Sequence, residues 1–170
     1  MKKVLFLICM VCGISAVNAQ GFKAGFGVGY LTEIDGVGVS ADLIYEFDEK
    51  WGIGNTNTFS TAEFNGSDRI NWFAIDLNAR YKVYKELYVL AGGEYLSQSL
   101  KTKNLFGGFQ IGDATFKDSS FGANVGAGYK IHLVSNVNLF GEIKYTTLSL
   151  DRGVENSGYI HARVGLLFDF

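Results

Sequence analysis

The chain has 170 residues, of which 48% are hydrophobic and 15% aromatic, with 22 glycines, no proline and a formal net charge of −2. That length suits one domain, and so small a charge excludes a general affinity for nucleic acid or anionic surfaces. A proline-free chain favours uninterrupted strand ladders, because proline cannot donate to them. No later segment has the 18 or so continuous apolar residues of a spanning helix.

Residues 1–19 read as a signal peptide. Lys2 and Lys3 give a positive start, Val4 to Ile8 open a short apolar run, and Val17-Asn18-Ala19 is a small-x-small cleavage site before Gln20. The run is short for a signal anchor. Cys9, Met10 and Val11, which precede Cys12, are not the small residues of a lipoprotein site. Cleavage leaves 151 residues with 13 basic and 17 acidic side chains, a net charge of −4. It also removes both cysteines, Cys9 and Cys12, so the exported chain has neither a disulfide framework nor a thiolate metal site.

From residue 20 onward one pattern recurs: about ten residues alternating apolar with polar or glycine, then a break. A period of two is an extended strand with one oily and one wet face. The first predicted strand, Phe22 to Tyr30, sets Phe22, Ala24, Phe26, Val28 and Tyr30 against Lys23, Gly25, Gly27 and Gly29. After Asp35-Gly36 the second sets Val37, Val39, Ala41, Leu43, Tyr45 and Phe47 against Gly38, Ser40, Asp42, Ile44 and Glu46, and Asp48-Glu49-Lys50 reverses the chain. The third, Trp51 to Ala62, has Ile53, Asn55, Asn57 and Phe59 on one face and Gly52, Gly54, Thr56, Thr58 and Ser60 on the other. Its threonine face is expected outward, because an asparagine in hydrocarbon leaves more polar groups unpaired.

The fourth strand sets Phe73, Ile75, Leu77, Ala79, Tyr81 and Val83 against Ala74, Asp76, Asn78, Arg80 and Lys82. The fifth sets Leu87, Val89, Ala91, Gly93 and Tyr95 against Tyr88, Leu90, Gly92 and Glu94. The longest connection then spans Leu100 to Ser120, with Phe106-Gly107-Gly108-Phe109 placed to form the tip of an extended hairpin. In the sixth strand Phe121, Ala123, Val125, Ala127, Tyr129 and Ile131 oppose Gly122, Asn124, Gly126, Gly128, Lys130 and His132. In the seventh Val137, Leu139, Gly141, Ile143 and Tyr145 oppose Asn138, Phe140, Glu142, Lys144 and Thr146. After a polar loop, Asp151 to Gly158, the eighth runs to the final residue as Ile160, Ala162, Val164, Leu166, Phe168 and Phe170. Short breaks near Asp48, Lys85 and Ser135 alternate with longer ones, so the tight turns and both termini share one end of an even-stranded sheet.

Alternation does not say which face points inward, and a secreted lipocalin-like carrier would place the oily side inside. Three observations favour oily side out. The wet face is rich in glycine, which fits a narrow eight-strand interior and would only weaken an exposed strand. Its charges balance, with Asp42, Glu46, Asp76, Glu94, Glu142 and Asp169 against Lys23, Arg80, Lys82, Lys130, Lys144 and Arg163, as a confined interior requires. Aromatics gather at the ends of the oily faces (Phe22, Tyr30, Tyr45, Phe47, Tyr81, Tyr95, Phe121, Tyr129, Tyr145, Phe168 and Phe170), where tyrosine keeps its ring in lipid and its hydroxyl wet. The expected fold is all-β: a closed antiparallel up-and-down transmembrane β-barrel of about eight strands.

On the signal peptide, the eight amphipathic strands, the alternating loop lengths and the terminal Phe170, the chain resembles the small outer-membrane β-barrels of the OmpA/OmpX type found in diderm bacteria. The resemblance covers residues 20–170 and implies a place in the outer membrane, contact with its lipid, and insertion by the barrel-assembly machinery. Phe170, Phe168, Leu166 and Val164 match that family's assembly signal, and the chain stops at the barrel without the periplasmic domain that some relatives carry. The family serves as structural barrels, adhesins, host-factor binders, small pores or lipid A-modifying enzymes, and fold alone cannot choose.

The leading expectation is a non-enzymatic barrel whose lumen is filled by its own side chains and whose loops meet an extracellular protein or surface. Leu105, Phe106, Phe109 and Ile111 are the candidate contact surface. A small pore comes second: the glycines allow it, while Arg80, Lys82, Lys130, Lys144 and Arg163 oppose it. A lipid-modifying enzyme comes third, with His132 or His161 as base and Ser149, Glu142 or Asp169 as partners, although no nucleophile motif surrounds either histidine. Two histidines and no exported cysteine give no metal-ligand spacing, and no cofactor is expected.

Overall fold

The computed structural model describes residues 21–64, 68–106, 109–149 and 157–170. The expected signal peptide, its cleavage site, the Gly107-Gly108 pair and most of the 151–158 loop lie outside them. Eight strands follow in chain order: β1 (Phe22–Leu31), β2 (Gly36–Glu46), β3 (Trp51–Phe64), β4 (Asp68–Tyr84), β5 (Leu87–Phe106), β6 (Phe109–Val134), β7 (Val137–Ser149) and β8 (Ser157–Asp169). Each pairs antiparallel with the next, and β1 pairs with β8 from Lys23↔Asp169 to Leu31↔His161, closing the barrel. Closure leaves no edge strand within the wall, which a sheet in hydrocarbon requires.

Local chemistry sets the tight turns. The Asp48 carboxylate accepts the backbone N–H groups of Lys50 and Trp51, both at 2.7 Å, so the chain reverses from β2 into β3. Lys85 takes a left-handed conformation (φ 48°) between β4 and β5. These turns, the 135–136 turn, Phe22 and Phe170 share one end of the barrel, called here the turn end. The opposite end carries the tip of β5 and β6 and is called the hairpin end.

The oily faces point out. Val37 is 68% exposed, Leu77 and Val125 58%, and Phe26 57%, whereas Asp76 is 0% and Lys130 7% exposed. A water-soluble carrier with an oily cavity is therefore excluded: this outer wall is solvated by lipid. Aromatic pairs mark its two margins, with Phe22–Tyr45 and Trp51–Tyr81 at the turn end (ring centroids 4.7 Å apart in both) and Tyr95–Phe121 (5.1 Å) toward the hairpin end.

Three expectations are corrected. The threonine face of β3 points in, not out: Thr56, Thr58 and Ser60 are buried. The register sets Thr56 between Asp42 and Asp76, and its hydroxyl donates to Asp42 Oδ1 at 2.6 Å. The outward asparagines escape the penalty assumed for them, because Asn57 Nδ2 donates to Asn55 Oδ1 (2.7 Å) and Asn55 Nδ2 to the Asp76 carbonyl (2.9 Å). Second, the Leu100–Ser120 connection is strand rather than long loop over its limbs: as the extended-hairpin reading expected, they continue β5 and β6, paired to Phe106↔Phe109 with one register shift at Asn104/Leu105. Third, His132 is exposed at the turn end, where the β6–β7 register shifts, and it does not lie inside the barrel.

Candidate functional site

The lumen is filled in layers, because alternate residues of every strand project into a space just wide enough for side chains. At the turn end Lys23 pairs with Asp169 (2.9 Å) and Glu46 (3.3 Å), while Lys130 reaches across from β6 to Glu46 (3.0 Å) and lies 3.8 Å from Glu86. Above it sits an apolar layer of Ile44, Phe140 and Leu167. Phe140 packs against the closing seam, where a Cβ on Gly27 or Gly165 would come within 3.3 or 2.8 Å of its ring. The two glycines face each other across β1 and β8, so the ring rests on bare backbone.

The next layer is organised by Arg163, whose side chain is 2% exposed. Its guanidinium donates to both Asp42 oxygens (2.9 and 2.8 Å), to Glu142 Oε1 from Nε (2.8 Å), and to Ser40 Oγ (3.1 Å). Glu142 also receives Arg80 Nη2 at 2.5 Å and the Tyr88 hydroxyl at 2.9 Å. One layer higher, Lys144 bridges Asp76 (2.5 Å) and Glu94 (3.0 Å). Asn124 donates to Asp76 (2.8 Å), while Tyr159 and Thr146 donate to Glu94 (2.5 and 3.1 Å). These are ties across the lumen, joining β4 to β7 and β2 to β8, and each charge is held by counter-charges and fixed donors.

The hairpin end of the lumen is predominantly apolar. Leu31, Ile34, Trp72, Ala74, Leu96, Leu148 and Tyr159 form one buried cluster, edged by Ala62 and Ile70. Ile34 comes from the 32–35 turn and is folded back into the mouth, 2% exposed. A left-handed Asp35 (φ 47°), whose carboxylate accepts the Tyr30 hydroxyl, and a bond from Ile160 N to Thr32 Oγ1 (2.9 Å) hold that turn down. At the turn end, by contrast, a cleft of about 20 Å³ among Glu46, Trp51, Arg80, Tyr88 and Lys130 has room for one water.

Of the twelve charged residues expected in the lumen, all but Lys82 make at least one ion pair. Sequence parity missed three participants. Trp72 and Tyr159 lie on strands that begin earlier than their alternation suggested, and Glu86 sits in a turn. Of the residues considered for catalysis, His132 at the rim is linked to Asp169 through Asn138, whose Oδ1 lies 3.2 Å from His132 Nδ1 and whose Nδ2 donates to Asp169 Oδ2 at 3.1 Å, with no nucleophile beside them among the described residues. His161 is buried (2% exposed) with Nε2 unpartnered, Glu142 is tied to two arginines, Asp169 is at the opposite end of β8, and the side chain of Ser149 lies outside the described residues. Among the described residues no group of three His, Cys, Asp or Glu side chains is placed to hold a metal ion.

Beyond the wall, β5 and β6 continue as a two-stranded ribbon. Among the described residues, pairing with β4 ends at Arg69↔Lys101 and pairing with β7 at Phe121↔Ser149. The 26 residues of β6 far exceed the 9–11 or so needed to cross a bilayer as a tilted strand. The backbone of Leu105, Phe106, Phe109 and Ile111 forms the end of this ribbon, and their side chains lie outside the described residues.

An eight-stranded antiparallel barrel with an apolar exterior and an ion-paired interior is an integral outer-membrane protein. The chain belongs to the outer membrane protein β-barrel domain family, whose model matches residues 4–168. Its fold is similar to that of a major outer membrane protein from Thermus thermophilus (TM-score 0.68, 14% identity, 88% of this chain and 98% of that one). It is also similar to Ail, the attachment invasion locus protein of Yersinia pestis (0.58, 14%, 89% and 99%), and to Neisserial surface protein A (0.54, 14%, 88% and 96%). At these identities the likeness is one of fold. No curated protein sequence matches this one.

Proposed function

We propose that this barrel is a non-conducting, non-enzymatic membrane anchor that presents the β5–β6 ribbon to a partner outside the cell. The observation that carries the reading is the contrast between its halves: a lumen tied shut by cross-strand ion pairs and sealed by the Trp72–Tyr159 cluster, and a ribbon that outruns the wall. The attachment protein among its structural neighbours agrees with an adhesive role. Leu105, Phe106, Phe109 and Ile111 at the ribbon's end are the contact surface in this reading. Deleting residues 103–113 tests it: binding to host cells or matrix is expected to fall while the barrel stays inserted. Unchanged binding removes the proposal.

The same reading makes residues 1–19 a cleaved signal peptide, with Gln20 at the N-terminus of the mature protein, which intact-mass measurement of the membrane form checks. Phe168 and Phe170 serve as the recognition signal for the assembly machinery. F170S is expected to lower insertion in cells while leaving refolding into lipid vesicles unchanged. Planar-bilayer recording is expected to show no steady conductance, and a stable ohmic current would establish the pore instead. An unchanged lipid A mass spectrum on expression of the protein is expected, and a new lipid A species would establish the enzyme.

A further inference from the structure

The outer face of the wall is uncharged through the lipid layer and then carries three neighbouring cations on β4, β5 and β6 at the hairpin end. Arg69 shares the outward face of β4 with Phe73 and Ile75, Lys101 that of β5 with Tyr95, and Lys117 that of β6 with Phe121. The register makes the three cations neighbours: Arg69 is directly opposite Lys101, and Lys117, opposite Ser99, is diagonal to Lys101. Facing cations on adjacent strands repel unless an anion lies between them. Of the acids the register places on this face, Glu63 is opposite Arg69 and pairs with it at 2.7 Å, and Asp113 is opposite Lys103. Lys101 and Lys117 are exposed, and among the described residues neither has an ion-pair partner. Asp118 stands on the other face of the ribbon, opposite Gln98.

Height fits a lipid headgroup. Lys117 lies four residues, about 13 Å of strand, beyond the Tyr95–Phe121 pair, or about 10 Å along the membrane normal at a tilt of about 40°. Tyrosine marks the hydrocarbon boundary, and a lysine stem can bend back toward it. The turn end carries no such cluster of neighbouring cations, since Asp48, Glu49 and Glu86 outnumber Lys50 and Lys85 in its turns.

We propose that Lys101 and Lys117, flanked by Arg69, form a docking site for the phosphate of an anionic lipid headgroup at the hairpin-end interface. The two ammonium groups converge on one phosphate from adjacent strands, and the aromatic pair below packs against the acyl chains. The site does not depend on the ribbon having any protein partner.

The test uses the protein in phosphatidylcholine nanodiscs doped with phosphatidic acid, with native mass spectrometry counting the anionic lipid retained on release. Such discs offer the same lipid to both rims, so the result is independent of which end faces out of the cell. Wild-type protein is expected to retain phosphatidic acid, K101Q/K117Q to lose about fivefold per lysine, and salt to weaken retention. K50Q/K85Q at the opposite rim is expected to retain it like wild type, with heat-modifiable gel migration verifying that every variant is folded. Equal loss in the two double variants would mean generic attraction and would overturn the site. So would full retention by K101Q/K117Q, or displacement of the lipid by equimolar inorganic phosphate, which would make free anion the occupant.

Discussion

Removing Arg163 is the sharpest test of whether the lumen behaves as a desolvated ion-pair lattice. In R163M, Glu142 keeps Arg80 at 2.5 Å and Tyr88 at 2.9 Å, but Asp42 is left with the Thr56 hydroxyl at 2.6 Å and no cation. Stripping one partner from a buried pair costs about 3–5 kcal/mol, because the remaining charge is uncompensated. One of the two carboxylates retains a guanidinium, so the expected loss is about 3 kcal/mol. The double variant D42N/R163M removes the orphaned charge and is expected to recover to within about 1–2 kcal/mol of wild type, with a coupling energy that the cycle measures directly. Urea unfolding from lipid vesicles, followed by the fluorescence of Trp51 and Trp72, gives all four stabilities. If R163M loses less than about 1 kcal/mol, or the double variant is no better than the single, then water already screens this layer and the lattice argument is wrong.

Matched glycine substitutions separate the two faces of the wall. A Cβ on Gly128 would clash with the Tyr88 hydroxyl, so G128A is expected to lose about 1–3 kcal/mol in the same assay, whereas G141A, which meets nothing within 4 Å, is expected to lose less than about 0.5 kcal/mol. W72A removes the largest side chain of the apolar cluster and is expected to cost about 3–5 kcal/mol in urea, without steady conductance, since the Lys144 and Arg163 layers still block the lumen. The two N–H donors from Trp51 and Lys50 hold Asp48 below the usual carboxylate range, so its contribution is present at neutral pH and lost as the pH falls below about 4 through that depressed value. D48N is therefore expected to flatten the acid limb of a stability–pH curve measured on folded barrels.

The architecture was legible because lipid outside and ion pairs inside impose one rule on every strand: apolar side chains alternating with glycine or charge. Leu77 and Asp76, one residue apart, could not both face hydrocarbon. The failures lie where that rule goes slack. On β3 both faces are polar, so parity carries no sign, and the burial of Thr56 follows from its neighbours Asp42 and Asp76 on other strands. Above the membrane no face must be oily, so the alternation of Leu100–Ser120 fades while the backbone ladder continues past one register shift at Asn104/Leu105. His132 has inward parity, but the adjacent register shift places it at the rim. Which acid meets which base could not be read at all. Pairs such as Arg80 with Glu142 join residues 62 apart through the stagger of the closed sheet, and the spacing of neither strand encodes that number.

The seam between β1 and β8 is where the first and last strands meet, the one neighbouring pair that is not consecutive in the chain. Phe140, supplied by β7, lies across it on the paired Gly27 and Gly165. A third strand therefore acts as a latch on the first and last, and it can seat only because neither terminal strand has a side chain at that level. The place where such a cylinder is easiest to pry apart is thus secured by an aromatic ring on naked backbone, and bulk acquired at 165 would drive into the facing backbone of the first strand as well as into that ring.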